Sequence, residues 1–163
     1  MAATVLIREK NGAGETATDK TSGTVRFKNA DNATVDTSNP MTVPVAGTDY
    51  SFEKWMRFNV SAGTYTEITN VEVYTDGGNG LGTGISVFGK TAAAYATPAE
   101  ATTTSGYTDL FTYTSGSPLT IGAGPYTSTG DKGNYLVMIM TVADTATAGV
   151  TASETVTWAW DEI

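Results

Sequence analysis

Apolar residues recur at every second position through much of this chain, which is the period of a β-strand. The C-terminal stretch shows it most clearly. Val156, Trp158 and Trp160 share one face, and Thr155, Thr157 and Ala159 the other. Two tryptophans bring a large apolar area to one face, so both are expected in the core. In residues 50–60, Phe52, Met56, Phe58 and Val60 share a core face. Lys54 falls on that face too and is expected to reach out of the edge or to mark where the core begins. Glu53, Trp55 and Arg57 lie opposite. Trp55 there needs a cover, either a loop of the same chain or an interface, where Trp and Arg are enriched. Residues 135–142 are apolar on both faces, which calls for a cover on each. The opposite sheet supplies one. The N-terminal segment folded back, or a neighbouring subunit, supplies the other.

The same reading places strands at residues 4–8, 24–28, 41–45, 50–60, 67–75, 84–88, 107–113, 118–121, 134–142 and 154–160. The short strand at 41–45 contains Pro44, which suits an edge. Residues 9–22 and 29–40 read as polar loops. Asp76-Gly77-Gly78-Asn79-Gly80 and Ser115-Gly116-Ser117 read as turns. Residues 92–101 are the one weak helical run, and Pro98 within them argues for a loop. Many short strands with regular turn signals predict an all-β fold, an antiparallel β-sandwich of jelly-roll or immunoglobulin-like type. The length suits a single domain over residues 1–163, with 1–40 as a strand-and-loop segment available to partners.

Composition then removes chemistry. The chain has no cysteine and no histidine. Disulfides, zinc–thiolate sites and thiol nucleophiles are excluded, as are Ser-His-Asp and Cys-His arrangements. Carboxylate-pair and lysine chemistry remain. The formal net charge of −8 is unevenly spread. Residues 1–58 carry seven Lys/Arg and seven Asp/Glu, whereas residues 59–163 carry Lys90 and Lys132 against ten acids. A general nucleic-acid-binding surface is not expected. The cations of the N-terminal third suit an acidic partner surface or simply a solvated face. The apolar run near Met1 is too short for a secretory signal, and no stretch is long and apolar enough to span a bilayer, so synthesis in a cytoplasm is expected and no membrane partner.

No motif adds a reaction. Asp76–Gly80 resembles half a calcium loop but lacks the alternating acids and terminal Glu of an EF-hand, so no metal is expected. Gly80-Leu81-Gly82-Thr83-Gly84 lacks the Lys-Ser/Thr of a phosphate loop. Adjacent Asp161 and Glu162 point to opposite faces of a strand and form no glycosidase pair; they blunt a sheet edge. The expectation is a protein that is not an enzyme and needs no cofactor.

Several stretches, in order, resemble a diverse group of small virion structural proteins from tailed bacteriophages. They are residues 24–31, 51–58, 68–76, 82–85 and 111–119, and the C-terminal Thr155-Val156-Thr157-Trp158-Ala159-Trp160-Asp161-Glu162-Ile163. The similarity spans most of the chain. It implies a β-sandwich on the outer capsid surface, a decoration (cement) protein that staples the lattice. Its partners would be the major capsid protein and itself, as a homo-oligomer such as a trimer. No catalytic residues are implied. From the residues themselves, Arg26 and Lys28 are candidates for salt-sensitive rim contacts to capsid or a sister subunit, and Trp55 and Arg57 for central ones. Residues 1–40 hold five of the nine cations and little apolar area, so parts of them are expected to order only against a partner. The alternative is a carbohydrate-binding or host-recognition module on a phage tail, which needs aromatic side chains aligned on an exposed face.

Overall fold

The structure is a computed structural model and describes residues 2–163. Ten strands form two antiparallel sheets packed face to face, an all-β sandwich. The strands are β1 (Thr4–Asn11), β2 (Thr16–Asp19), β3 (Thr48–Tyr50), β4 (Lys54–Ala62), β5 (Ile68–Tyr74), β6 (Ile85–Ala92), β7 (Thr108–Asp109), β8 (Leu119–Gly122), β9 (Gly130–Ala143) and β10 (Thr157–Glu162). The larger sheet has the order β2-β1-β4-β9-β6-β7, with β3 also paired to β9; the smaller has the order β10-β5-β8. A single 3₁₀ turn, Leu110–Thr112, follows β7 because Asp109 caps it, its carboxylate accepting from the Phe111 N–H.

The shared-face alternation works as expected in the central strands. Phe58, Val71, Val73, Ile85, Leu136, Met138 and Met140 are all buried in one contiguous core between the sheets. Two irregularities shape it. Asn70 takes φ +51 where the β10–β5 register slips, and its side chain donates to the Asp161 carboxylate at 2.7 Å. Gly133, at φ +71, lies where β9 crosses β8, and a Cβ there would meet the Ile121 carbonyl at 2.8 Å.

The C-terminal strand departs from expectation in depth. Val156 and Trp158 are only partly buried and Trp160 is 36% exposed. Their face is right, since both indoles reach the Phe58 ring, at 6.3 and 5.3 Å between centroids. But β10 is an edge strand of a narrow sheet, so its outer flank stays open.

Two expected strands are absent. Residues 24–28 are extended, and Val25 and Phe27 pack against the core, yet no strand pairs with them. Their carbonyls are taken otherwise: the Lys20 ammonium donates to Thr24 O, and the Phe52 N–H to Lys28 O. Residues 41–45 are irregular, with the Thr42 N–H held by the Asp49 carboxylate, and they leave Val45 fully exposed. A strand needs a neighbour, and alternation alone does not supply one.

The second face of β9 has a different cover from either expected. Tyr135 and Val137 pack with Trp55 under Ala92, Tyr95 and Tyr107, from the segment that follows β6. That segment is fastened where the Glu53 N–H donates to Ala99 O at 3.0 Å and the Ala101 N–H to Ser51 O at 3.1 Å. The doubly apolar strand is thus satisfied within one chain.

Candidate functional site

The four residues singled out from sequence divide sharply. Trp55 is 4% exposed, with the rings of Tyr95 and Tyr135 edge-on at 5.3 and 5.5 Å. Its indole N–H donates to Glu53 Oε2 at 2.9 Å. Arg57 lies over the Tyr135 ring at 4.2 Å and donates to the Gly133 carbonyl. The same-chain cover is thus the one realised for Trp55, whereas Arg57 stays partly exposed and its Nε is buried without a hydrogen-bond partner. Lys28 is 1% exposed, its ammonium donating to Asn32 Oδ1 and the Asp36 carboxylate, so it is an interior pin where a rim contact was expected. Arg26 is partly exposed and, among the described residues, makes no side-chain hydrogen bond or ion pair.

Arg26 is among the residues lining a cavity of about 810 Å³ between the sheets. Its floor is core: Met56, Val87, Met138 and Met140. Its walls are irregular backbone, residues 23–27, 40–43 and 147–156. The cavity exists because three strands cannot cover seven. Two of these wall segments lead to a backbone link outside the cavity, where the Asp144 N–H donates to Gly47 O at 3.0 Å. Both carry bare aliphatic side chains, Val43 and Val45 on one and Val150 on the other. Exposed aliphatic side chains on irregular backbone are a candidate contact surface. Sequence reasoning missed it because residues 41–45 read as a paired strand.

A second cluster is polar and lies on the core face beyond Met56. Glu9 and Lys54 are both 0% exposed, with Lys54 Nζ donating to Glu9 Oε1 at 2.9 Å and to Asn32 O at 2.7 Å. Lys20 Nζ stands 3.7 Å from Glu9 Oε2 and donates to the carbonyls of Thr24 and Ala33. Lysine ammoniums thus hold residues 24–36, where strand pairing does not. The signal was visible in part: Lys54 lay on an apolar face, and so did Glu9, two residues from Ile7. It does not reach out past the edge; the carboxylate of β1 meets it inside.

The aromatic cover has a pH consequence. Burial pushes the phenols of Tyr95, Tyr107 and Tyr135 up, to about 12 for Tyr95 and Tyr135. The Glu53 carboxylate, accepting from Tyr107, and Glu15, accepting from Tyr135, add to the rise. Each phenol keeps its proton in the folded chain above the pH, about 10, where the unfolded chain loses it. Between the two values the folded state binds more protons, so stability is fully present below about pH 10 and falls as pH rises beyond it. Urea midpoints should drop through this window, and Tyr107→Phe should flatten the drop. A profile of the wild-type protein that stays level would contradict the assignment.

Trp160 is the most exposed aromatic side chain among the described residues. No group of three or more acidic residues placed to hold a metal ion occurs among them, and no helix is long and apolar enough to cross a membrane. Comparison of the chain with protein-family models, curated proteins and solved structures finds no match.

Proposed function

We propose that this chain is a virion structural protein of a tailed bacteriophage, a capsid decoration (cement) protein that binds the outer capsid lattice and stabilises it. The observation that carries this reading is the set of bare valines, Val43, Val45 and Val150, on the irregular segments flanking the cavity. The ordered stretches that resemble such proteins, ending in Trp158-Ala159-Trp160-Asp161-Glu162-Ile163, support it. The partners are the major capsid protein and further copies of this chain, in a homo-oligomer such as a trimer. The mechanism is adhesion without catalysis. Area buried across joints between capsid subunits, on the order of 1,200–2,000 Å² for a stable contact, favours the assembled lattice by mass action. Arg26, unpaired and beside the cavity, is the rim cation left for an acidic capsid surface.

Virions lacking this protein should package DNA yet break at lower temperature or milder osmotic shock than complete ones. Adding back purified protein should restore resistance, and a Val45→Asp, Val150→Asp variant should not. Equal fragility with and without the protein would remove the cement reading.

A further inference from the structure

The buried polar cluster contains more than an ion pair. On β1, Glu9 stands opposite Met56 and Lys10 opposite Trp55, where the paired register ends; one residue further on each strand come Asn11 and Lys54. Glu9, Asn11 and Lys54 are 0%, 9% and 0% exposed. One oxygen, Glu9 Oε1, accepts from Lys54 Nζ at 2.9 Å and from Asn11 Nδ2 at 3.4 Å. A carboxylate therefore sits between an amine and a carboxamide, out of water. Two atoms of the cluster are buried with no hydrogen-bond partner: Glu9 Oε2 and Asn11 Oδ1. Buried orphans of this kind ask for an explanation.

We propose that Lys54 and Asn11 join in an intramolecular amide crosslink, with Glu9 as the proton carrier. Glu9 takes a proton from the Lys54 ammonium, freeing the lone pair of Nζ. Nζ attacks Asn11 Cγ, and an Nζ–Cγ bond forms. Through Glu9, a proton then passes from Nζ to the departing Nδ2, the Cγ–Nδ2 bond breaks, and ammonia leaves. Asp31 Oδ1, which accepts from Nδ2 at 2.8 Å, holds the leaving nitrogen. The balance closes: the ammonium, carboxylate and carboxamide become a secondary amide, a carboxylic acid and ammonia. No oxidant or cofactor is required. Asn11, Gly12, Asp31 and Asn32 line a shallow surface cleft, which gives ammonia a way out.

The product explains the orphans. A protonated Glu9 donates from Oε2 to the new amide's oxygen, the former Asn11 Oδ1, while Oε1 accepts the new amide N–H. Both unpartnered atoms become partners of each other. Exclusion of water matters twice, since it keeps the amine from being held charged by solvent and keeps hydrolysis away. The bond would fasten β1 to β4 beneath residues 24–36 in a chain with no cysteine. Two other amine–carboxamide neighbourhoods are wetter. Lys28 faces Asn32 beside Asp36, whose side chain is 41% exposed, and Lys10 and Asn59 flank Asp131, at 26%.

Intact-mass measurement on the full-length folded protein tests the idea. The wild-type chain should be lighter than its sequence by one ammonia, and protease digestion should release one branched peptide joining Lys54 to Asn11. Glu9→Gln and Asn11→Ala should each show the full sequence mass. Asn11→Ala keeps the Glu9–Lys54 pair, so it reports even if Glu9→Gln does not fold. A wild-type mass equal to the sequence, or a branch at Lys28–Asn32 or Lys10–Asn59, would overturn the proposal. Loss of ammonia by Glu9→Gln at the wild-type rate would overturn the role of Glu9.

Discussion

In the Asn11→Ala background, where Lys54 keeps its charge, Glu9→Ala is expected to remove about 3–5 kcal/mol of folding stability, the loss typical of stranding a buried charge. Glu9 and Lys54 are fully buried, and the only other cation near the carboxylate, Lys20, is itself 8% exposed. Removing the carboxylate leaves Lys54 with one carbonyl partner, Asn32 O, and no counter-charge. Because Lys54 also pins Asn32, residues 24–36 should loosen along with the loss. The double variant Glu9→Leu, Lys54→Met should regain much of it, since apolar groups of similar volume replace an ion pair at little cost. Urea unfolding with an unchanged slope measures both. A single-variant loss under about 1 kcal/mol, the value for solvent-exposed pairs, would mean that water reaches the cluster.

Phe58→Ala should cost a similar about 3–5 kcal/mol, for a different reason. Phe58 is fully buried on β4 and meets both indoles of β10, Trp158 in a stacked arrangement and Trp160 edge-on. It is the joint between the two sheets. Truncation leaves a cavity, and the indoles, already on an open edge, lose the ring they lean on. Trp158 and Trp160 should then become more solvated, visible as a red shift in tryptophan fluorescence at denaturant concentrations where the wild type is intact. Phe58→Leu should cost less than about 1.5 kcal/mol, as a near volume-conserving exchange. If alanine is tolerated as well as leucine, the sheets are held elsewhere. Against a total of about 5–15 kcal/mol, either large variant leaves a marginal fold.

These two sites show how legibility varied along the chain. Phe58 was readable because it sits in a long alternating strand that has paired neighbours on both sides, β1 and β9. Trp160 alternates just as well, yet an edge position leaves it exposed, and edge or centre is a property of the sheet. Trp55 and Arg57 had the composition of an interface. The cover of Trp55 came from residues 92–107, distant in sequence and without a periodic pattern, while Arg57 found Tyr135 and Gly133 on β9. Lys28 had the look of a surface cation. It is interior because Asn32 and Asp36 curl back upon it.

The sequence by itself determined the all-β class, most strand positions and the greater part of the core. Those rest on a local period that every strand must obey to bury one face. Only the tertiary structure decided which extended segments found a partner, so that residues 24–28 and 41–45 stayed unpaired while β9 was covered twice. It also decided that Glu9, Asn11 and Lys54 share one buried cluster, and that Val43 and Val150 stand bare on the cavity wall. Strand pairing and charge pairing are contacts between distant residues, and a local pattern carries no information about which distant residue arrives.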